Sequence, residues 1–178
     1  MTAPTLKTDR LVLRQLVIED ADELFKTLSD EEVMRYWSSG PHETIDETKA
    51  YLAWNVAVDA GHKCWAITID SESALGWVIL IPHRKNSYEL GYILRRDCWR
   101  NGYLFEAASS VLDYAFDSMV ARRVMADTDP DNAGSVKLLE KLGFRQEGYL
   151  RDEWETHIGI RASLIFGMLR KEWGGPQA

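Results

Sequence analysis

Only two cysteines, Cys64 and Cys98, occur in 178 residues, and they lack Cys-x-x-Cys spacing. A disulfide framework is therefore not expected. The four histidines form no His-x-x-x-His pair, so a metal site is not expected either. No apolar run nears the roughly 20 residues that span a bilayer, and the opening MTAPTLKTDR lacks the apolar stretch of a secretory signal. A cytoplasmic protein with no membrane partner is the expectation. Low-complexity segments, internal repeats and Gly/Ser/Pro-rich linkers are missing too, which predicts a single domain over 1–178. Positive charge is in deficit: the net charge of −7 disfavours a nucleic-acid partner and mildly favours cationic ligands.

What is present is a change of hydrophobic period along the chain. Arg10 to Gln15 alternates with Leu11 and Leu13 on one face, as a half-buried strand does. Two helical stretches follow, each opened by a capping-box pattern, Asp20 with Glu23 and Thr44 with Glu47. An aromatic turn, Tyr36 and Trp37, lies between them. The period then becomes two at Cys64 to Ile69, Leu75 to Ile81 and Tyr88 to Leu94, which predicts a three-stranded antiparallel meander. From Phe105 onward Ala108, Val111, Leu112, Ala115 and Met119 recur at helical spacing, and Arg123 to Thr128 reads as a strand. A helix at about 133–142 stops at Gly143, and strands near 144–155 and 162–169 complete the chain. The class is α/β (α+β mixed).

Two segments carry chemistry. Trp99-Arg100-Asn101-Gly102-Tyr103-Leu104-Phe105-Glu106-Ala107 lies between a strand and a strongly periodic helix. A helix start exposes unpaired N–H groups and the positive end of the dipole, and a glycine there admits an anion close to the backbone. Taken alone, Gly102 is read more simply as permitting a turn before a helix. Farther on, Asn132-Ala133-Gly134-Ser135 opens the next helix, where Asn132 is also a good N-cap.

Together these segments resemble the GNAT superfamily of acyl-coenzyme A dependent N-acetyltransferases, and within it the Rim type that acetylates ribosomal-protein N-termini. The resemblance covers nearly the whole chain: Thr8-Asp9-Arg10-Leu11-Val12-Leu13-Arg14, Glu89-Leu90-Gly91-Tyr92, Trp99 to Ala107, Asn132-x-x-Ser135 and Gly143-Phe144. It implies a mixed, mostly antiparallel twisted sheet of about six to seven strands flanked by helices. The family's phosphate loop usually reads Trp-Gly-x-Gly-Tyr-Ala; here Arg100 replaces the first glycine and Leu104 the small residue.

The resemblance further implies that acetyl-CoA lies where the third meander strand parts from the next. Its pantetheine arm would pair with the backbone of Ile93 and Leu94, and its pyrophosphate would rest on Arg100, Asn101, Gly102, Tyr103 and Leu104. Glu89 is the candidate base. Ser135 is the candidate acid, able to relay a proton or to orient the sulfur, because the tyrosine many relatives place seven residues after the asparagine is Leu139 here. Asn132 would hold pantetheine or substrate by its amide. Tyr36 and Trp37 would line the acceptor pocket. Cys98, with no base partner in view, is not expected to be a nucleophile.

The expected acceptor is a primary amine, first a protein N-terminal α-amine; a polyamine, amino-sugar or antibiotic is the alternative, and a silent acyl-CoA-binding module a third reading. The chain is expected to be a monomer or homodimer.

Overall fold

The computed structural model describes residues 2–57 and 60–175. Two short strands, β1 (Leu6–Lys7) and β2 (Val12–Gln15), lead into α1 (Ala21–Leu28), α2 (Glu31–Met34) and α3 (Ile45–Asn55). The meander is β3 (Lys63–Thr68), β4 (Gly76–Arg84) and β5 (Ser87–Leu94). Helix α4 (Tyr103–Asp113) runs on through a π-helical turn to Ser118 and is followed by β6 (Arg123–Thr128) and α5 (Ala133–Lys141). A long hairpin of β7 (Arg145–Thr156) and β8 (Gly159–Leu169) closes the chain. The eight strands form one sheet in the order β1-β2-β3-β4-β5-β6-β8-β7, and every pairing is antiparallel except β5 with β6. The fold is thus the mixed α/β sheet expected, with one strand more. Two-residue β1 is too short to show a period in the sequence.

Strand parity sorts the core into two layers. Val78, Leu80, Leu90, Leu94, Val124 and Ala126 pack against Ala107, Val111 and Leu112 of α4 and Leu139 of α5. On the opposite face Ala66, Trp77, Ile79 and Ile93 pack against Leu24 and Leu28 of α1, Met34 of α2 and Leu52 of α3. Burying side chains of this size stabilises the fold by roughly 1.5–3 kcal/mol each before entropy is counted. Among the described residues no helix is long and apolar enough to cross a membrane.

The predicted helix starts are realised unevenly. Thr44 Oγ1 accepts the Glu47 N–H at 3.3 Å, while Glu47 reaches back to the Glu43 N–H rather than to that of Thr44. The capping box at Asp20 does not form. Its carboxylate takes the Arg14 guanidinium at 2.6 and 2.9 Å and the Val17 N–H at 3.0 Å, since a largely buried carboxylate gains more from a charged fork than from a helix amide.

The architecture positions the site through one break in the sheet. Strands β5 and β6 pair only over Ser87–Glu89 and Arg123–Met125. Beyond Glu89 the carboxyl half of β5 leaves β6, while β6 stays paired with β8 along its other edge from Arg123 to Thr128. Gly76 lets β4 follow β5 here: a methyl at that position would be driven into the Ile93 carbonyl oxygen.

Candidate active site

The parting strands bring the expected cofactor residues to one place. Ile93 and Leu94 end β5, in the stretch that has left β6. The Leu94 carbonyl accepts the Trp99 indole N–H at 2.7 Å, which fastens the following loop to the strand end and leaves that oxygen a second lone pair. The chain then turns through Arg100 (φ 62°) and Gly102 (φ 77°), both left-handed, into Tyr103 and α4. Positive φ at residue 100 is the physical reason for a glycine there in related loops: a side-chain-bearing residue loses about 1–2 kcal/mol in this region. Among the described residues no side chain caps α4, so the N–H groups of its first turn are open to a ligand. Glycine, uncapped amides and helix dipole converge as an anion site requires. Acetyl-CoA fits this donor set.

The loop is also tied from below. Arg10 Nη1 donates to the Asn101 carbonyl at 2.8 Å, and Nε donates to Glu106 Oε2 at 2.7 Å. Glu106 Oε1 accepts from the Arg10 N–H at 2.9 Å and from the Thr8 hydroxyl at 2.5 Å.

Helix α5 meets the same opening. Asn132 Oδ1 accepts the Ser135 N–H at 3.1 Å, so its oxygen is used as the N-cap while its amide hydrogens remain for another partner. Ser135 Oγ lies 2.7 Å from the Tyr92 hydroxyl on β5, a partner not anticipated from sequence. Burial pushes the Tyr92 phenol well above its ordinary range, so it stays protonated.

Glu89 occupies the other face of β5. It shares parity with Ile93, toward α1 to α3, whereas Tyr92 and Ser135 lie toward α4 and α5. Among the described residues no hydrogen bond or ion pair holds the Glu89 carboxylate. Burial raises its pKa, and the charge of Asp127 adds to the rise. Asp127, also unanticipated, stands on β6 two residues past Met125, the register partner of Glu89. Its Oδ2 accepts the Trp154 indole N–H at 3.0 Å and the Ser163 hydroxyl at 3.3 Å. Trp154 reaches it because β7 bulges between Leu150 and Trp154, and such a bulge redirects side chains.

Trp37 of the aromatic turn lies partly buried against the layer formed by α1 to α3. It packs edge-on against Trp77 at 6.2 Å and donates its indole N–H to the Tyr51 hydroxyl at 2.9 Å, which fixes its ring on this face of the sheet. Tyr36 carries the Arg35 guanidinium 5.5 Å above its ring. Cys98 is buried beside Asp97, and that burial raises its thiol pKa, the opposite of an activated nucleophile.

Residues 10–145 match the model of the acetyltransferase (GNAT) domain. The chain belongs to the GNAT acetyltransferase family. It is 30% identical over 176 residues to the uncharacterized N-acetyltransferase p20 of Bacillus licheniformis, covering 96% of this chain and 99% of that one. Spermidine N(1)-acetyltransferase of Escherichia coli K12 is 27% identical over 143 residues, 80% of this chain and 76% of the relative. Among solved structures, a probable GNAT acetyltransferase from Chromobacterium violaceum superposes with a TM-score of 0.87 at 25% identity, covering 97% and 90%. The GNAT chain described here is accordingly an acetyl-CoA-dependent N-acetyltransferase.

Proposed function

We propose that this GNAT enzyme acetylates a primary amine that arrives protonated, that Glu89 removes the proton, and that the acceptor is a protein N-terminal α-amine. The observation that carries the reading is the unheld carboxylate of Glu89. A half-buried carboxylate with no partner among the described residues, and with a second carboxylate on its face of the sheet beside the break, is poorly satisfied unless a cation joins it.

Acetyl-CoA supplies an acetyl group activated as a thioester, held by Arg100 to Leu104 at its pyrophosphate and by the backbone of Ile93 and Leu94 along its arm. Asn132 offers its free amide hydrogens to that arm. Glu89 takes the ammonium proton, with desolvation and Asp127 having raised its basicity. The freed nitrogen lone pair forms the C–N bond as the C–S bond breaks, and the acylated nitrogen then gives up its second proton, which passes through solvent to the thiolate and leaves amide and thiol. Ser135 donates its hydroxyl hydrogen to the departing sulfur, and Tyr92, donating to Ser135 Oγ, directs that hydrogen outward. Ser135 acts as a hydrogen-bond donor rather than a net acid. A thiol titrates near 8.5, far below either hydroxyl, so neither surrenders its proton to the thiolate.

A carboxylate base favours α-amines, whose pKa of about 7.7–8.0 lies well below the roughly 10.4 of an alkylamine. The Rim-type motif pattern supports the same acceptor, with Tyr36 and Trp37 walling the pocket on the Glu89 face. A polyamine is the second reading, favoured by Asp127 beside Glu89 and by the kinship with spermidine acetyltransferase.

The test is CoA release with acetyl-CoA over short peptides with free N-termini, spermidine and aminoglycosides, with products identified by mass spectrometry. Higher kcat/KM on the peptides supports the first reading, and higher kcat/KM on spermidine the second. Acetyl-CoA binding with no turnover on any amine would overturn both.

A further inference from the structure

Glu106 poses an electrostatic problem. It stands in the first turn of α4, the end of the helix that the proposed function gives to the cofactor's pyrophosphate, and an anion there opposes another anion. Its side chain is only 18% exposed, so water does little to screen it. The structure answers with residues nearly a hundred positions away. The Thr8 hydroxyl, the Arg10 N–H and the Arg10 guanidinium all bond to its carboxylate. Partial burial works against ionisation of Glu106, yet these three donors hold its pKa below the ordinary carboxylate range. The same guanidinium holds the Asn101 carbonyl and lies 4.7 Å from the centre of the Tyr103 ring. It passes beneath Gly102 as well: a Cβ there would sit 3.3 Å from Arg10 Nη2.

We propose that Arg10 is the positioning residue of the phosphate loop: by drawing the Asn101 carbonyl and the Glu106 carboxylate onto itself, it leaves the loop's N–H groups to the pyrophosphate and neutralises the nearest opposing charge. Arg10 acts through the loop and not on the reacting atoms. This rests on the placement of the pyrophosphate at Arg100 to Leu104. A planar fork is required, because one side chain must reach a carbonyl and a carboxylate at once.

The test compares two donors, acetyl-CoA and S-acetylpantetheine, the second of which lacks a pyrophosphate. Arg10→Met should raise the acetyl-CoA dissociation constant in calorimetry about tenfold or more, the scale of lost hydrogen bonds to charged groups. KM for acetyl-CoA should rise with kcat little changed, and kcat/KM for S-acetylpantetheine should stay near parental. Adding Glu106→Gln to Arg10→Met should recover several-fold of the lost affinity, since the unneutralised carboxylate is then gone. A general folding defect would instead lower kcat on both donors and would not be repaired by Glu106→Gln. Should Arg10→Met not fold, Arg10→Lys carries the test: it keeps the charge but loses the two-point hold, and its dissociation constant should still rise several-fold. Parental acetyl-CoA affinity in the variant that folds, or equal losses on both donors, overturns the proposal. If the parent binds S-acetylpantetheine as tightly as acetyl-CoA, the phosphate placement itself has failed, and Arg10 with it.

Discussion

The two sides of the sheet break are built on opposite principles. On the proposed cofactor side the side chains around the loop hold one another while the backbone N–H groups stay open: Trp99 is tied to Leu94, Arg10 to Asn101 and Glu106, Thr8 to Glu106, Asn132 to Ser135, and Ser135 to Tyr92. On the proposed acceptor side no partner among the described residues holds Glu89, and Asp127 shares its face of the sheet, while the neighbouring hairpin exposes Tyr149, Leu150, Trp154, Ile158 and Ile160. A donor shared by a whole family rewards a pre-formed site, because ordering cost is met during folding. An acceptor is bound through groups whose energy is realised only when it arrives. Specificity should therefore reside in the loosely held half.

The sharpest test of that contrast is Glu89→Gln, expected to lower kcat/KM for the amine by about a hundredfold or more, with acetyl-CoA affinity near parental. The deficit should shrink as pH rises, because more of the amine is then already neutral. Stability should move the other way. Glu89 has a raised folded-state pKa, so its charged form costs stability once pH exceeds the unfolded carboxylate range, and that cost is fully present above the folded pKa. Glu89→Gln should thus raise Tm at pH 7–8 and lose this advantage near pH 4. A lower Tm at neutral pH would mean that an unseen partner holds the carboxylate.

On the tied side, Gly102→Val should weaken acetyl-CoA binding about tenfold or more, because a branched residue strains at φ 77° and its Cβ meets Arg10. Calorimetry returning the parental constant would displace the pyrophosphate from this loop. Smaller again are the hydroxyls. Ser135→Ala should cost about tenfold in kcat and Tyr92→Phe less, the scale of one hydrogen bond to a charged group. Both deficits should be flat with pH between 6 and 9, because Tyr92 stays protonated throughout. A Tyr92→Phe deficit that varies across that window would restore the hydroxyl pair to a net proton relay.

The sequence patterns reveal the tied half better than the loose one, for a physical reason. Periods of 2 and 3.6 expose the faces of β3 to β6 and of α4 and α5, and Gly102 and Asn132 mark helix starts whose backbone chemistry is local. Asp127 and Tyr92 carry no sequence signal of their partners, because parity tells which face a strand residue takes, not which side chain comes to meet it. Asp127 acquires its role from Trp154 and Ser163 on strands β7 and β8, through a bulge without a composition cue. Arg10 reads in the sequence only as part of a motif, since its partners Asn101 and Glu106 lie across the whole meander. Asp20 misled in the opposite sense: its spacing to Glu23 fits a cap, but Arg14 reaches it first.

The smallest expected effect concerns Arg100, where strain and charge make opposite demands. At φ 62° its backbone sits where glycine is at ease, so Arg100→Gly removes roughly 1 kcal/mol of strain but gives the unfolded chain about 0.4–1 kcal/mol of extra entropy. The two nearly cancel, and Tm should move by only a degree or two. Arg100→Ala keeps the strain and should not gain even that. Cofactor binding separates the remaining possibilities. If the guanidinium pairs with a phosphate, both variants should raise the acetyl-CoA KM two- to several-fold and flatten its salt dependence, because an exposed charge contact is screened. If the side chain only faces solvent, Arg100→Gly should bind acetyl-CoA as well as the parent or better, the backbone now being free to follow the pyrophosphate. Measuring KM for both variants across a salt series decides between them, with Arg100→Gly as the cleaner probe because it alone alters charge without retaining a side chain in the left-handed region.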